Sequence, residues 1–127
     1  MSEFSKKYSV RGIRGATTVD KDSKELIKEA TKELLIQMVE KNKVSSDDIA
    51  AVFFTTTSDI SDEFPAVAAR EILSLHSVPL LNMQEIDNPN GLSSCIRILI
   101  HWNTDLNQDQ IKHVYLNGAT VLRTDLK

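Results

Sequence analysis

The segment Val10-Arg11-Gly12-Ile13-Arg14-Gly15-Ala16-Thr17-Thr18 decides how the rest of this chain is interpreted. Its flanks are typical of a β-strand, yet it carries two arginines and two glycines. Arginine presents a fixed fork of donors that matches a carboxylate, and glycine lets a ligand or a neighbouring backbone approach closely. Taken alone, the segment is better explained as an edge strand with solvated arginines, so a functional role depends on residues elsewhere.

Composition limits the classes of protein that need to be considered. The chain has 127 residues, 41% of them hydrophobic and 26% charged, which predicts one globular domain over residues 1–127 with a tail at residues 1–9. The net charge of -3 provides no overall attraction for nucleic acid or an anionic membrane. The single cysteine, Cys95, excludes an internal disulfide, and no spacing suggests zinc. Neither a signal peptide nor a membrane-spanning run is evident, so we expect a cytoplasmic protein.

The first half of the chain predicts a long helix between two strands. Asp22 and Glu25 resemble a capping box that opens a helix over Ser23–Asn42, and apolar residues recur along it at steps of three and four. Ile49–Thr57 is continuously apolar enough to be a buried strand.

The second half predicts shorter elements. Pro65 suits the first position of a helix that reaches Leu75, and Pro79–Glu85 is typical of a strand. Asn90-Gly91 predicts a hairpin that returns the chain antiparallel over Ser94–Trp102. A short strand at His113–Leu116 and helical turns over Ala119–Lys127 follow. The expected fold class is therefore α+β, with a single mixed β-sheet and one long helix packed on one face.

Alternation within the predicted fourth strand separates two faces of the sheet. Ile96, Ile98 and Ile100 share one face, which the long helix covers, whereas Arg97 points to the other. The neighbours of Arg97 on that second face are too apolar for open water, so we expect another subunit to cover it. The same alternation places Tyr115 on this face, so that Arg97 and Tyr115 line one cleft.

The charges expected at this cleft do not balance. A partly buried arginine without a partner is costly, and Glu85 supplies one negative charge against Arg14, Arg97 and other arginines. Two explanations remain open at this point: an intersubunit salt bridge between Arg97 and Glu85, or a carboxylate ligand. The three histidines occur singly, without a nucleophile motif, a phosphate loop or metal-ligand spacing. An enzyme of this sequence is therefore expected to need no covalent intermediate, metal or cofactor.

Several separated motifs resemble one family, the monofunctional AroH-class chorismate mutases. The resemblance runs in order from Val10 to Leu126 without an obvious insertion. It rests on Val10–Thr18, Phe64-Pro65-Ala66, Val78-Pro79, Met83-Gln84-Glu85, Cys95-Ile96-Arg97, Asp109–Leu116 and Val121-Leu122-Arg123.

The resemblance implies a homotrimeric pseudo-α/β-barrel with three active sites at the subunit interfaces. It implies the rearrangement of chorismate to prephenate in aromatic amino acid biosynthesis, without metal or cofactor. The residues matching the family's catalytic positions are Arg97, Glu85, Arg14 and Tyr115. The residues matching its substrate-binding positions are Phe64, Ala66, Val67, Arg70, Asn82, Leu122 and Arg123, with Phe64, Ala66 and Arg70 contributed by the adjoining subunit.

In this interpretation Arg97 donates to the ether oxygen, Arg14 and Tyr115 hold a carboxylate, and Glu85 holds the ring hydroxyl.

Two positions depart from the family pattern. Val67 stands where a lysine is frequent, which removes a steering charge, and Asn82 stands where a cysteine is common. Alternation along the strand puts Asn82 and Glu85 on opposite faces unless the strand twists or ends between them. The alternatives are a catalytically silent trimeric module that binds small carboxylates, and a related trimeric enzyme acting on a different small carboxylate.

Overall fold

The computed structural model describes residues 8–73 and 77–126, with the backbone alone for residues 73 and 123–126. The strands are β1 (Ser9–Thr18), β2 (Ile49–Thr56), β3 (Leu80–Gln84), β4 (Cys95–Thr104) and β5 (Val114–Tyr115). The helices are α1 (Lys24–Asn42) and α2 (Pro65–Leu73), and 3₁₀ segments cover Ser46–Asp48, Gln108–Gln110 and Asn117–Leu126. Within the described residues, no helix has both the length and the apolar character to span a membrane.

The strands form one mixed sheet in the order β3-β2-β4-β1-β5. β4 lies at the centre and is antiparallel to both of its neighbours, β1 and β2. β3 and β5 lie at the edges and run parallel to β2 and β1 respectively. The α+β class and the single mixed sheet expected from the sequence are confirmed.

The strand order corrects one prediction. Asn90-Gly91 does not join two paired strands, because β3 pairs with β2 and β4 inserts between β2 and β1. The turn is instead local: the Asn90 N–H donates to the Asn88 side chain and the Gly91 N–H donates to the Asn88 carbonyl. The alternating isoleucines of β4 are fully or almost fully buried on the helix side of the sheet, which identifies a buried face but not the strand's position in the order.

The start of α1 corrects a second prediction. Ser23, rather than Asp22, caps the helix, since its backbone is extended and its hydroxyl accepts from the Leu26 N–H at 3.2 Å. Asp22 accepts instead from the N–H groups of Ser61 and Asp62, which fastens the segment after β2 to the helix start. The helix ends as expected at Asn42, where Lys43 takes a left-handed conformation with φ 55°.

One face of the sheet packs against the helices and forms the core. Leu34, Leu35 and Met38 of α1 are fully buried in one cluster with Ile100 and Phe54 of the sheet. At the closest approach, a Cβ atom at Gly15 would overlap the end of the Met38 side chain, so any larger residue there requires Met38 to shift within the core. The predicted helix-facing side of the sheet is therefore confirmed.

One predicted boundary is corrected by the structure, and another lies outside the described residues. Ser9 pairs with Thr104 as the first residue of β1, so the strand begins inside the range expected to be a tail. Residues 1–7 lie outside the described residues. α2 begins at Pro65 as predicted and is described to Leu73, and the predicted continuation to Leu75 lies outside the described residues.

Candidate active site

A pocket of about 540 Å³ lies on the sheet face opposite the helices. It contains three of the four predicted catalytic residues, Arg14, Arg97 and Tyr115, together with the predicted wall residue Leu122. Alternation positions these side chains, because Arg97 of β4 lies between Ala16 of β1 and Thr55 of β2 on the same face. The cleft predicted from strand alternation is present in the protomer.

Glu85, the fourth predicted catalytic residue, is bonded to the guanidinium of Arg97. Arg97 Nε lies 2.9 Å from Glu85 Oε2, and the Thr55 hydroxyl donates to the same oxygen at 2.7 Å. The Glu85 side chain is 17% exposed and that of Arg97 is 44% exposed. β3 has already ended at Gln84, and the Glu85 N–H continues the edge by donating to the Thr56 carbonyl. The strand end therefore lets Glu85 turn toward Arg97.

Arg14 brings a second positive charge to the pocket. Its backbone N–H donates to His113 Nδ1 at 2.9 Å, which fixes β1 to the segment that leads into β5. Two residues further along that segment, Tyr115 pairs with Ala16 and is half-buried at the pocket wall. In the described part of the chain, no carboxylate is in salt-bridge contact with Arg14. The pocket thus carries an excess of positive charge.

Cys95 is fully buried beside this pocket, against Ala16, Ala119 and Tyr115. Burial raises the pKa of its thiol to about 11, with Glu85 adding to the effect and Arg97 opposing it. The thiol is therefore protonated at neutral pH, and it is not a nucleophile for covalent chemistry here. The described residues also contain no group of His, Cys, Asp and Glu side chains that would hold a metal ion.

A second group of predicted site residues lies elsewhere, around the start of α2. Phe64 is 65% exposed, Arg70 is exposed, and Val67 is half-buried. Ala66 is fully buried, so its side chain has no free surface in the protomer. None of these residues lines the Arg97 pocket; Phe64 borders a separate pocket of about 290 Å³. The predicted site residues thus form two groups in the protomer, of which only one lines the Arg97 pocket.

Asn82 belongs to the second group and not to the Arg97 pocket. Its side-chain oxygen accepts a hydrogen bond from the Ala66 N–H at 3.1 Å, and it borders the smaller pocket beside Phe64. The side chains of Glu85 and Asn82 therefore lie on opposite faces of the sheet, as alternation predicted. β3 ends at Gln84, between these two residues. The side chain of Arg123 lies outside the described side chains, although its backbone is part of the C-terminal 3₁₀ segment.

The pocket contains residues that the sequence analysis did not identify. Thr55 holds Glu85, and Phe53 packs edge-on against His101 with ring centroids 4.9 Å apart. Thr55 and Phe53 reach the pocket because β2 pairs with β4, which aligns Thr55 with Arg97 and Phe53 with Leu99. Alternation within Ile49–Thr57 would have placed Phe53 and Thr55 on one face, but only the strand order puts that face beside Arg97.

Comparison with known proteins gives a consistent family. Residues 10–126 match the family model described as chorismate mutase type I. A chorismate mutase AroH of Thermus thermophilus is 51% identical over 119 residues, covering 93% of this chain and 97% of that protein. A chorismate mutase AroH of Bacillus subtilis (strain 168) is 45% identical over 117 residues, covering 92% of each.

A solved structure agrees with these sequence matches. The chorismate mutase from Clostridium thermocellum superposes with a TM-score of 0.84 at 48% identity, covering 87% of this chain and 97% of that one. Both the sequence and the fold of the described residues therefore support the same assignment. The chain belongs to the type I chorismate mutase family.

Proposed function

We propose that this chain is an enzyme that converts chorismate to prephenate, at sites formed between neighbouring subunits of a homotrimer. The observation that carries the proposal is the Arg97 guanidinium, bonded at Nε to Glu85, at the wall of a pocket that also holds Arg14. Two arginines face one carboxylate there, so a ligand with carboxylates balances the charge. Of the two explanations left open by the sequence, the Arg97–Glu85 salt bridge forms within one protomer and not between subunits, and it leaves the charge of Arg14 unbalanced, which favours the carboxylate ligand.

The rearrangement suits a site without a nucleophile. In chorismate the ether C–O bond breaks while a C–C bond forms, and no proton or electron is exchanged with the protein. The protein needs only to hold the dianion in its compact conformer and to stabilise the charge that separates. The protonated Cys95 thiol and the lack of a metal-binding group in the described residues are compatible with this chemistry.

Each charged group has a defined task in the proposed reaction. With Nε bonded to Glu85, the terminal amino groups of Arg97 are left to donate to the ether oxygen as it becomes negative. Glu85 holds the ring hydroxyl and lies near the ring as it becomes electron-poor. Arg14 and Tyr115 hold a carboxylate at the pocket wall.

A trimer accounts for the two separated groups of site residues. Phe64, Val67 and Arg70 do not line the Arg97 pocket of their own protomer, and a neighbouring subunit can bring its Phe64 and Arg70 to that pocket. The open sheet face also carries exposed apolar residues, Leu81 at 51% and Met83 at 40%, which a neighbour would cover. Leu122 lines the Arg97 pocket, and the resemblance adds Arg123 to its rim and Val67 to its entrance.

The remaining expectations from the sequence stay part of the proposal. One domain is supported by a family match that spans residues 10–126. The cytoplasm is proposed because the one cysteine is unpaired and buried, as is usual in reducing compartments. A silent carboxylate-binding module is not favoured, because it would not need both Arg97 and Glu85 held at bonding distance.

The reaction is tested with purified protein and chorismate, by following the fall of chorismate absorbance and the formation of prephenate. We expect loss far faster than in buffer alone. An unchanged chorismate signal would refute the proposed reaction, and turnover of another small carboxylate instead would favour the related-enzyme alternative.

The shared site is tested by mixing two impaired variants. Arg97→Ala damages one group of site residues and Arg70→Ala the other, so co-refolded hybrids regain intact sites only if each site takes residues from two subunits. Random mixing gives about one intact site in four. Activity that never exceeds the mean of the two parents would contradict an interface site.

A further inference from the structure

The first turn of α2 has one donor that needs a partner. Helices begin with N–H groups that find no acceptor within the helix. Pro65 has no N–H, so the Ala66 N–H is the first such donor, and the Val67 N–H reaches the Phe64 carbonyl at 3.1 Å. Ala66 is fully buried, so water does not replace a missing acceptor there.

The acceptor comes from a distant strand. The Asn82 side-chain oxygen bonds to the Ala66 N–H across 16 positions in sequence. This oxygen does the work of an N-cap, although the residue lies on β3 and not before the helix. β3 lies at the edge of the sheet and pairs with β2. The bond between Asn82 and the Ala66 N–H therefore links the sheet edge directly to the start of α2.

Asn82 also lies close in sequence to the Arg97 pocket. It is paired with the buried Phe54, which places its side chain on the helix side of the sheet. Three positions later Glu85 has left β3 and binds Arg97 on the opposite side. One short segment therefore sets the position of both groups of site residues.

We propose that Asn82 is a positioning residue, which fixes the first turn of α2, and with it Phe64, at the place where the substrate wall is needed. The inference rests on the proposed function. Asn82 acts through the Ala66 N–H, to which its side-chain oxygen is bonded on the helix side of the sheet, and its side chain does not line the Arg97 pocket. Phe64 and Val67 lie at the same helix start, so their positions depend on the bond that Asn82 makes.

Asn82→Ala is therefore expected to change substrate binding more than the chemical step. The charged groups that face the reacting bond stay in place, while the wall carried by α2 shifts. Because a displacement of about 1 Å can cost up to about 100-fold, we expect KM to rise about 10-fold and kcat to change less than threefold.

Ser23→Ala is the matched control. It removes the N-cap of α1, whose hydroxyl accepts from the Leu26 N–H at 3.2 Å. Ser23 lines neither pocket, and the bonds from the start of α1 to the segment before Phe64 are made by Asp22 and Lys24, which this variant keeps. Each variant is expected to lower the melting temperature by a similar amount, as N-cap losses do. Hydrogen exchange should accelerate at the Ala66 amide in Asn82→Ala and at the Leu26 amide in Ser23→Ala, and only Asn82→Ala should raise KM. Equal thermal destabilisation with unchanged KM in both would overturn the inference, since Asn82 would then be merely structural.

Asn82→Asp separates positioning from direct contact through the amino group. Aspartate keeps the acceptor oxygen and suits a helix start, but it removes the amino donor. Kinetics in about 1 M salt, where the Debye length is about 3 Å, limit repulsion between the new charge and the dianion. Recovery of the Ala66 protection and of KM supports positioning. Recovery of protection with a KM as high as that of Asn82→Ala would assign a direct contact and overturn it.

Two further measurements keep the test decisive. If Asn82→Ala does not fold, Asn82→Ser withdraws the acceptor by one atom and should show the same effects on KM and exchange at smaller size. A wild-type chain without chorismate turnover would refute the proposed function. The exchange rate of the Ala66 amide would still decide whether Asn82 holds α2, since wild-type-like exchange in Asn82→Ala refutes the tie itself.

Discussion

Thr55 supports the pocket by holding Glu85, although Thr55 itself has no contact with the bond that reacts in the proposed mechanism. Its hydroxyl donates to Glu85 Oε2 at 2.7 Å, and the same oxygen accepts from Arg97 Nε at 2.9 Å. Thr55→Val preserves the shape of the side chain and removes only this donor. Glu85 is then held by Arg97 alone.

The size of the effect follows from the geometry. A hydrogen bond to a charged group contributes about 1.5–3 kcal/mol, and the lower end applies because the Arg97 side chain is 44% exposed. About 1.4 kcal/mol corresponds to a factor of ten. Thr55→Val should therefore lower kcat/KM for chorismate by about 10-fold, since the Glu85 carboxylate and the guanidinium it orients both become less fixed.

The assay compares initial rates of chorismate loss for Thr55→Val with those for Thr31→Val. The Thr31 hydroxyl donates at 2.7 Å to the Ile27 carbonyl inside α1, so its removal costs a buried hydrogen bond without affecting the pocket. Thr31→Val should lower stability and leave kcat/KM unchanged. A Thr55→Val protein with wild-type kcat/KM would refute the idea that Thr55 orients Glu85.

Three other changes have defined outcomes. Gly15→Ala should lower the free energy of unfolding in urea by about 1–3 kcal/mol, because the new methyl group would overlap the Met38 side chain; the same change should cost less in a Met38→Ala background, and an equal cost in both backgrounds would contradict this cause. Val67→Lys should lower KM for the dianion, and less so at high salt, whereas Val67→Gln should not; a salt-independent change would exclude electrostatic steering. The pKa of Cys95 is raised from 9.0 to about 11, so its buried thiol contributes stability that is present below pH 9.0 and lost as pH rises toward 11. Cys95→Ala should remove that part of the alkaline loss in thermal melts, and an identical pH profile would refute it.

The fold was predictable where local pattern and burial agree. The isoleucines of β4 and the apolar stripe of α1 each identify a buried face, and both faces meet in the core. Strand order was not predictable from the same signals. Asn90-Gly91 is a good turn sequence, but it says nothing about which strands lie on either side of β4.

The candidate site was also predictable only where a local sequence pattern determines the face on which a side chain lies. Alternation alone placed Arg97 and Tyr115 in one cleft, the charge balance added Glu85 and Arg14 as candidates, and the resemblance gave each of the four a role. Thr55 required the pairing register of β2 with β4, which no local pattern contains. The bond from Asn82 to the Ala66 N–H depends on the packing of α2 beside β3, so it too needed the structure.

Arg97 carries the central claim, and the turnover of Arg97→Ala at saturating chorismate tests it most directly. Arg11→Ala is the control, because Arg11 donates to the Leu106 carbonyl and its side chain does not line the pocket. Loss of one preorganised donor should reduce kcat by about 10²–10³-fold in Arg97→Ala, with Arg11→Ala close to wild type. A folded Arg97→Ala protein with near-normal kcat would contradict the account.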